Sequence, residues 1–522
     1  GFDAVKNFQY TRESGVLCPH CANHCSRTLL HFPDGGCYVT GNRCDRGAVV
    51  MEAAPAHKAQ EVPDLFRLRQ ELLFKTYPVS PVREEQSQTV GLPRVLEFWD
   101  SMPFWSTFFR ALGYRVKFSH PSSRRQYESG LQYVASDTIC FPAKLVHGHV
   151  LDLSKQGVDR IFLPYILHMP TENKGEKSPY VCPVIMGYSM VVRNFQSPGE
   201  HFSVGFETPV FHWFSKQDRK RQICRYAVEH CGATKRQAEA AYRQAETAIL
   251  SFRHQLVEEG KRVIADTGKA GGFAVVLAGR PYHTAPLINH DLSGMFTRRG
   301  IPVLTVDSLP GLEKADLRRS RVEITNVFHA RMLSGAMVTA EQPCLEYVQI
   351  VSFGCGHDAI LSDELIRLLG EGSGKPPLIL KVDESEAAGS LGIRVQSFIE
   401  TVQLRRSAQA EQAACRLPEP YAVKYRKEDR KLRTVLVPNI SAPVSTLLTA
   451  LMDREGIRAV RLPVGGVEQI RVGKKYTHND ICFPAQIVIG EALAALKSGK
   501  YDGKEVAIAT GKYIGDCRLT HY

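Results

Sequence analysis

The pentapeptide Ile-Cys-Phe-Pro-Ala occurs twice, at Ile139–Ala143 and Ile481–Ala485, inside the longer runs SDTICFPAKLVHG and HNDICFPAQIVIG. In each copy an apolar stripe follows the proline, and a glycine lies eight residues past the cysteine. Proline is tolerated in the first turn of a helix, where its missing N–H had no partner. Asp137 and Asn479, five residues ahead of Pro142 and Pro484, read as cap or turn residues. Cys140 and Cys482 then stand just ahead of a helix N-terminus, where free amides and the helix dipole favour a thiolate. Such a position suits a sulfur anion or an iron–sulfur cluster. The competing reading is a buried structural cysteine, and the duplication puts the two on even terms.

A second concentration of sulfur lies at the N-terminus: Cys18-Pro-His-Cys21-Ala-Asn-His-Cys25, then Cys37, then Cys44. Thiols this dense, interleaved with Gly, Pro and Asn, describe a small knuckle with little core, a piece that needs a metal to fold. Cys18, Cys21, Cys25 and Cys44 form the expected site, with Cys37 spare, and zinc or a [4Fe–4S] cluster both accept four thiolates. The chain has 14 cysteines and no secretion signal, which points to metal or redox chemistry rather than disulfides. Cys224, Cys231, Cys344 and Cys415 lie without sequence partners and take no role. His147, His149 and His478 flank the repeated motif and read as surface or capping residues.

Positioning these residues is the task of the rest of the chain. At 522 residues it should form three or four domains, and 43% hydrophobic with 23% charged residues is ordinary for a soluble globular protein. No apolar run approaches the ~20 residues of a membrane span, and a cytoplasmic protein is expected. The net charge of +12 and pI near 9.0 invite a nucleic-acid reading. The basic residues, however, are scattered in short runs such as Lys216–Arg225 and Lys424–Arg433, mixed with acids and without a nucleic-acid motif. An anionic ligand such as coenzyme A, or an acidic partner, accounts for the charge as well, and solvated surface accounts for most of it. The chain starts at Gly1 and stops at Tyr522 just after a strand and its loop, so a fragment of a longer polypeptide or a processed subunit is expected.

Strands and helices alternate, which implies parallel sheets with functional residues at the carboxyl edge of the strands. Pro93–Phe98 reads as a strand, Pro103–Leu112 as a helix and Tyr114–Phe118 as the next strand. Arg433–Pro438, Pro443–Met452 and Ile457–Leu462 repeat that series in step with the duplicated motif. A strand follows each motif helix, at Asp159–Pro164 and Glu505–Thr510. Between the two copies Thr234–Ile264 is a long helix with Tyr242, Ala245, Ile249, Phe252 and Leu256 on one face. The strand Phe273–Ala278 hands on Arg280, His283, Asn289 and His290. Tyr347–Phe353 leads into Gly354-Cys355-Gly356-His357-Asp358, and Leu378–Val382 leads into Asp383, a loop and a helix expected to carry Arg394 in its opening turn. An arginine here can hold a carboxylate or phosphate bidentately, so Arg280, His283, Asn289, His290 and Arg394 form the expected substrate or anion site. The bland alternative pairs Arg280 with Asp383.

With these motifs in view, SDTICFPAKLVHGHV, the GRPYH…NH loop, VSFGCGHDA, LKVDESEAAGSLGIRVQSF and CFPAQIVIGEAL resemble the large proteins related to the activators of 2-hydroxyacyl-CoA dehydratases. Those proteins join ATPase activator domains to a dehydratase-like region, and the resemblance covers the latter from about Cys18 onward. No G-x-x-x-x-G-K-[ST] loop is present, so ATP binding is expected on a separate activator domain or subunit. The resemblance implies several flavodoxin-like domains and an iron–sulfur cluster, of [4Fe–4S] or double-cubane type, that passes electrons to an acyl-CoA or reduces small molecules. By motif position its ligands would be Cys140, Cys182, Cys355, Cys482 and Cys517. The chain departs from the pattern at Tyr165, where such sequences tend to have cysteine, so a six-thiolate site needs His168 or another cysteine instead.

The expectation is therefore an α/β protein: a cysteine-rich knuckle at 1–60, a connector at 61–90, an α/β domain at 91–232, a linker helix at 233–265, and α/β domains at 266–410 and 411–522, the last truncated. Its expected function is an iron–sulfur redox component of an ATP-coupled system. Whether it is itself an enzyme stays open. The alternative is a non-catalytic assembly or scaffold module with structural zinc.

Overall fold

The computed structural model describes residues 9–18, 26–33, 35–42, 45–48, 62–77, 88–169, 171, 173, 180–213, 215–322, 324–385, 388–408, 425–439, 441–478 and 481–511. By their contacts the residues fall into two units, 1–62 with 385–409, and 63–384 with 410–522. In the first unit β1 (Thr11–Leu17), β2 (Ser26–His31) and β3 (Cys37–Thr40) form an antiparallel sheet in that order. Leu29 and Val39 are buried, and Arg27 Nη1 donates to the Gly47 carbonyl at 2.9 Å. The described part of the cysteine-rich segment is thus a strand meander with a small core, and the expected metal knuckle falls largely outside the described residues. Val39 and Thr28 favour strand over loop. Cys18 is buried at the end of β1, while Cys21, Cys25 and Cys44 lie outside the described residues. The helix Ala388–Ser407 belongs to this unit, with Arg394 exposed in its second turn.

The second unit repeats one winding. β4 (Thr89–Leu92), β5 (Arg115–Phe118), β6 (Arg160–Phe162) and, after the short β7 (Tyr165–Ile166), β8 (Gly205–Glu207) form a parallel sheet in the order β5-β4-β6-β8. β7 pairs in parallel with β9 (Val210–Phe211). Next come β10 (Ala274–Ala278), β11 (Val303–Thr305), β12 (Leu345–Ser352) and β13 (Leu378–Val382), in the order β11-β10-β12-β13. β14 (Thr434–Val437), β15 (Ala459–Arg461) and β16 (Val506–Ile508) follow as β15-β14-β16. In each sheet the first strand is flanked by the second and third, the flavodoxin-like order, so a crevice opens at the carboxyl ends of the first and third strands.

One boundary differs from the sequence reading. The strand opening the first sheet is Thr89–Leu92, and Pro93–Phe98 is not a strand, because Pro93 has no N–H to continue the ladder. The turn that follows holds Leu96 at φ 45°, and helix α1 (Phe98–Ala111) carries Pro103 inside rather than at its start. The α1 helix packs Trp105 and Phe109 against Phe162, with ring centroids 4.7 Å apart for Trp105–Phe162 and 4.9 Å for Phe109–Phe162.

The duplicated motif builds the same helix pair twice. α2 (Arg124–Gly130) packs on α3 (Phe141–Lys155); α4 (Pro183–Val191) and the long α5 (Lys235–Lys269) follow, then α6 (Val327–Glu341) and α7 (Gly356–Ser373) in the middle sheet. α8 (Val467–Tyr476) and α9 (Phe483–Lys497) are the second copy of α2 and α3. The α5 helix opens on a Thr234/Gln237 capping box and buries Tyr242, Ala245, Ile249, Phe252 and Leu256, the face expected from its spacing. The glycine eight residues past each cysteine now has a reason. A Cβ on Gly148 would strike the Gln126 carbonyl, and one on Gly490 the Gln469 carbonyl, because the paired helices cross there in backbone contact. Gly490→Ala, and likewise Gly148→Ala, should destabilise the fold by roughly 1–3 kcal/mol, the cost of overpacking against atoms that cannot rotate away. Urea unfolding measures this, and an unchanged midpoint would show the helices free to part.

Candidate functional site

Three cysteines far apart in sequence occupy the same local position. Cys140, Cys182 and Cys355 are the N-cap residues of α3, α4 and α7, each with extended ψ (149°, 136° and 102°) and no side-chain capping hydrogen bond. Pro142 and Pro183 stand in the opening turns of the first two helices. The cap is the cysteine itself, so Asp137 does not cap the helix; Asn479 lies outside the described residues. Cys482 takes the same place on α9 with nearly the same backbone, φ −65° and ψ 146° against −63° and 149° at Cys140. Cys517 lies outside the described residues.

Cys140, Cys182 and Cys355 also converge. Cys182 and Cys355 both act electrostatically on Cys140, and Cys182 acts on Cys355. Cys182 is buried, and Cys140 and Cys355 are intermediate in exposure as whole residues. Burial pushes the Cys140 thiol up to about 12, with Cys182 and Cys355 adding to the rise. Burial likewise raises Cys355 to about 11, against the pull of Arg280. This reverses the expected thiolate: helix ends and one arginine do not repay the desolvation of neighbouring sulfurs, so without a bound cation these two thiols keep their protons at neutral pH. Among the described residues no group of three or more His, Cys, Asp or Glu is arranged to hold a single metal ion.

Arg280 stands at the centre, where the carboxyl ends of β10 and β12 open the crevice of the middle sheet. Its Nη2 donates to Asp358 Oδ1 at 2.8 Å and Cys355 Sγ at 3.1 Å, and Nη1 donates to the Tyr282 hydroxyl at 3.0 Å, while His329 Nε2 lies 3.1 Å from Nη2 and 3.2 Å from Asp358 Oδ1. The partner carboxylate is therefore Asp358, in the first turn of α7, and not Asp383, whose carbonyl accepts from His290 Nε2 at 3.0 Å. Burial opposes ionisation of Asp358, but the Arg280 guanidinium and the His329 hydrogen bond hold its carboxyl well below the usual range.

The other expected anion-site residues brace this loop. His283 Nδ1 accepts from the Arg280 amide at 3.1 Å and its Nε2 meets Ser352 Oγ at 2.9 Å; Asn289 Nδ2 donates to the His283 carbonyl at 2.8 Å. His290 adopts φ 53°. Arg394 lies on the helix of the other unit.

Two tyrosines complete the surroundings. Tyr282 feels both Cys140 and Cys182, and Tyr188 feels Cys140. Gln196 Nε2 donates to the His147 carbonyl at 3.0 Å, which leaves Oε1 to accept from His147 Nδ1 at 3.0 Å. His147 Nε2 must then accept from the Tyr188 hydroxyl, 3.2 Å away. His147 is fully buried, as is His149, so neither is the surface residue expected. Ser119 Oγ, Ser122 Oγ and Gln126 Nε2 surround the His149 ring at 2.7, 2.9 and 3.3 Å. In the second copy Glu491, also nine residues past the cysteine, accepts from the Asn439 and Gly465 amides at 2.6 and 2.7 Å. His329 and the tyrosines had no sequence signal beyond the Asn326 cap and the GRPYH run.

Burial lowers both His149 and His283 to about 3. The unfolded chain, with histidines near 6.5, takes up these protons first as pH falls. Stability should be intact above pH ~6.5 and decline progressively below it, through pH 4, where the folded rings still resist protonation. Urea midpoints across that range should show the decline, less steep by about one proton in His149→Gln; an unchanged slope would mean His149 titrates normally.

Residues 89–309 match the family model described as "CoA enzyme activase uncharacterised domain", consistent with the resemblance to activase- and dehydratase-related proteins. No curated protein matches the chain. Among solved structures, glucosamine-6-phosphate deaminase from Thermotoga maritima is similar at 9% identity over 67% of this chain and 98% of its own, with a TM-score of 0.17, and carries no argument. No helix among the described residues is long and apolar enough to cross a membrane.

Proposed function

Taking residues 89–309 as a CoA enzyme activase family domain, we propose that the chain binds an iron–sulfur cluster through Cys140, Cys182 and Cys355 and serves as the redox component of a CoA-linked, ATP-driven system. The observation that carries this reading is the convergence of three N-cap thiols, from helices up to 215 residues apart between Cys140 and Cys355, beside one buried arginine. The residues fit such a group. Thiolates suit iron, and three helix N-termini offer unsatisfied N–H groups to an anionic cluster. A cluster spreads its ligands over several irons and so does not need the single-ion geometry that is missing here. Cys482 and Cys517 are the proposed further ligands, and Cys18, Cys21, Cys25 and Cys44 a second site for zinc or [4Fe–4S].

A bound cluster would supply one-electron transfer. The chain's own residues set its surroundings. Arg280 neutralises charge at Cys355 while Asp358 holds the guanidinium in place. Tyr188 directs its proton to His147. Tyr282 accepts from Arg280 and so keeps its own proton to give, which makes it the proton donor we assign to a substrate at the thiols. An acyl-CoA is the proposed substrate class, and an ATPase activator, on the same polypeptide or separate, the proposed partner. The setting is proposed to be cytoplasmic.

Anaerobic reconstitution with ferrous iron and sulfide tests the reading. The expected product is brown and holds at least about four iron and four sulfide per chain with a reduced-state EPR signal. Protein that stays colourless and takes up only zinc would favour the scaffold alternative.

A further inference from the structure

The first and last sheets share a winding, but their first helices are covered differently. The helix Ala442–Arg454 corresponds to α1, because both end on the same cap. Gly113 and Gly456 take positive φ, and the Tyr114 and Ile457 amides donate back to the Phe109 and Met452 carbonyls. Counted back from those glycines, Phe104, Trp105 and Phe108 of α1 match Leu447, Leu448 and Leu451. The three aromatic residues are buried, and α5 packs along α1 with the Phe104 and Tyr242 rings 5.7 Å apart. Their counterparts Leu447, Leu448 and Leu451 are 65%, 37% and 49% exposed, and Val444, one turn earlier, is 59% exposed. Spaced at i, i+3, i+4 and i+7, these four make one apolar stripe. Of the whole helix only Ser445 is buried.

Single exposed apolar side chains are ordinary, whereas a contiguous stripe of them marks an interaction surface. The counterpart in the first sheet shows what fits such a face: α5, a helix whose Tyr242, Ala245, Ile249 and Phe252 recur at the helical period. The margin of the stripe adds charge. Arg461 Nη1 donates to Thr446 Oγ1 at 3.0 Å, next to Leu447, and meets no carboxylate among the described residues. Arg454, one turn past Leu451, pairs with the exposed Glu455 at 3.2 Å. We propose that this stripe docks an amphipathic helix of another protein, apolar on one face and edged with Glu or Asp toward Arg461. A second molecule of this chain fits less well, since each carries a net charge of +12 and would bring the same two arginines to the contact. The 13-residue helix is about 20 Å long, so about four turns of partner helix cover it. The proposal does not depend on what the thiols hold.

The probe is a fluorescein-labelled synthetic helix with leucines at that period and glutamates along both edges, titrated with the full chain and followed by anisotropy. Saturable binding is expected, about tenfold weaker in Leu447→Glu, the change that one leucine lost from an interface brings. Leu447 is exposed, so this variant should melt as the unaltered chain does. Arg461→Glu should reverse the charge preference, so that the same peptide with lysines in place of glutamates binds it better. No saturation, or equal affinity for Leu447→Glu, would overturn the proposal. So would a dimer of the unaltered chain in sedimentation that Leu447→Glu splits, since the stripe would then belong to a second molecule of this chain.

Discussion

Serine in place of Cys140, Cys182 or Cys355 should each abolish most of the iron bound on reconstitution, together with the reduced-state EPR signal, while the fold survives. The exchange keeps the size of the side chain. At Cys355 the serine oxygen can still accept from Arg280 Nη2, which now meets the sulfur at 3.1 Å. None of the three side chains caps its helix, so no capping bond is lost. What disappears is a soft thiolate, and an iron site lacking one of its thiolates loses affinity steeply. Cys344→Ser is the control, since Cys344 Sγ does no more than approach the Ile264 carbonyl at 3.8 Å. Equal iron loss in the control, or full iron in all three variants, would separate these cysteines from metal binding.

The second large effect is expected at Asp100. Its carboxylate, 3% exposed on α1 beside the first sheet, meets Arg331 at 2.7 Å, Arg253 at 3.3 Å and Arg69 at 3.6 Å. Those arginines come from α6 beside the middle sheet, from the long α5 helix and from the helix Leu65–Glu71, so one side chain ties four elements. Burial alone would raise the Asp100 pKa, but Arg331, Arg253 and Arg69 reverse that and hold it well below the carboxylate range. Asp100→Ala strands buried guanidinium groups and should cost about 3–5 kcal/mol, the usual penalty for breaking one side of a buried ion pair. A urea midpoint that falls with little change in slope would show it. A loss under about 1 kcal/mol would mean that Arg331 and Arg253 swing out to water.

Much of this arrangement was legible in local sequence. Proline two residues after cysteine, repeated with the same spacing, announced a thiol beside a helix start, and Cys140 and Cys482 stand there with matching backbone angles, although as the caps themselves, a place the local sequence offers to Asp137 and Asn479. The apolar stripe from Tyr242 to Leu256 announced the buried face of α5. The alternation of strands and helices announced parallel sheets. What local sequence could not carry was anything decided by packing between elements. Asp358 rather than Asp383 pairs with Arg280 because α7 turns its first turn back over the strand ends, a matter of winding rather than of spacing. His149 is buried because Ser119 and Ser122 reach it from the loop after β5. Cys140 and Cys355 keep their protons because burial disfavours the thiolate and neighbouring sulfurs add to the rise, which no single motif reveals.

Iron-edge anomalous diffraction from crystals of the reconstituted protein tests the central claim most directly. The account predicts iron within bonding distance of the Cys140, Cys182 and Cys355 sulfurs, beside Arg280. Iron found only near Cys18, or no iron at the convergent thiols of a fully reconstituted chain, would contradict it.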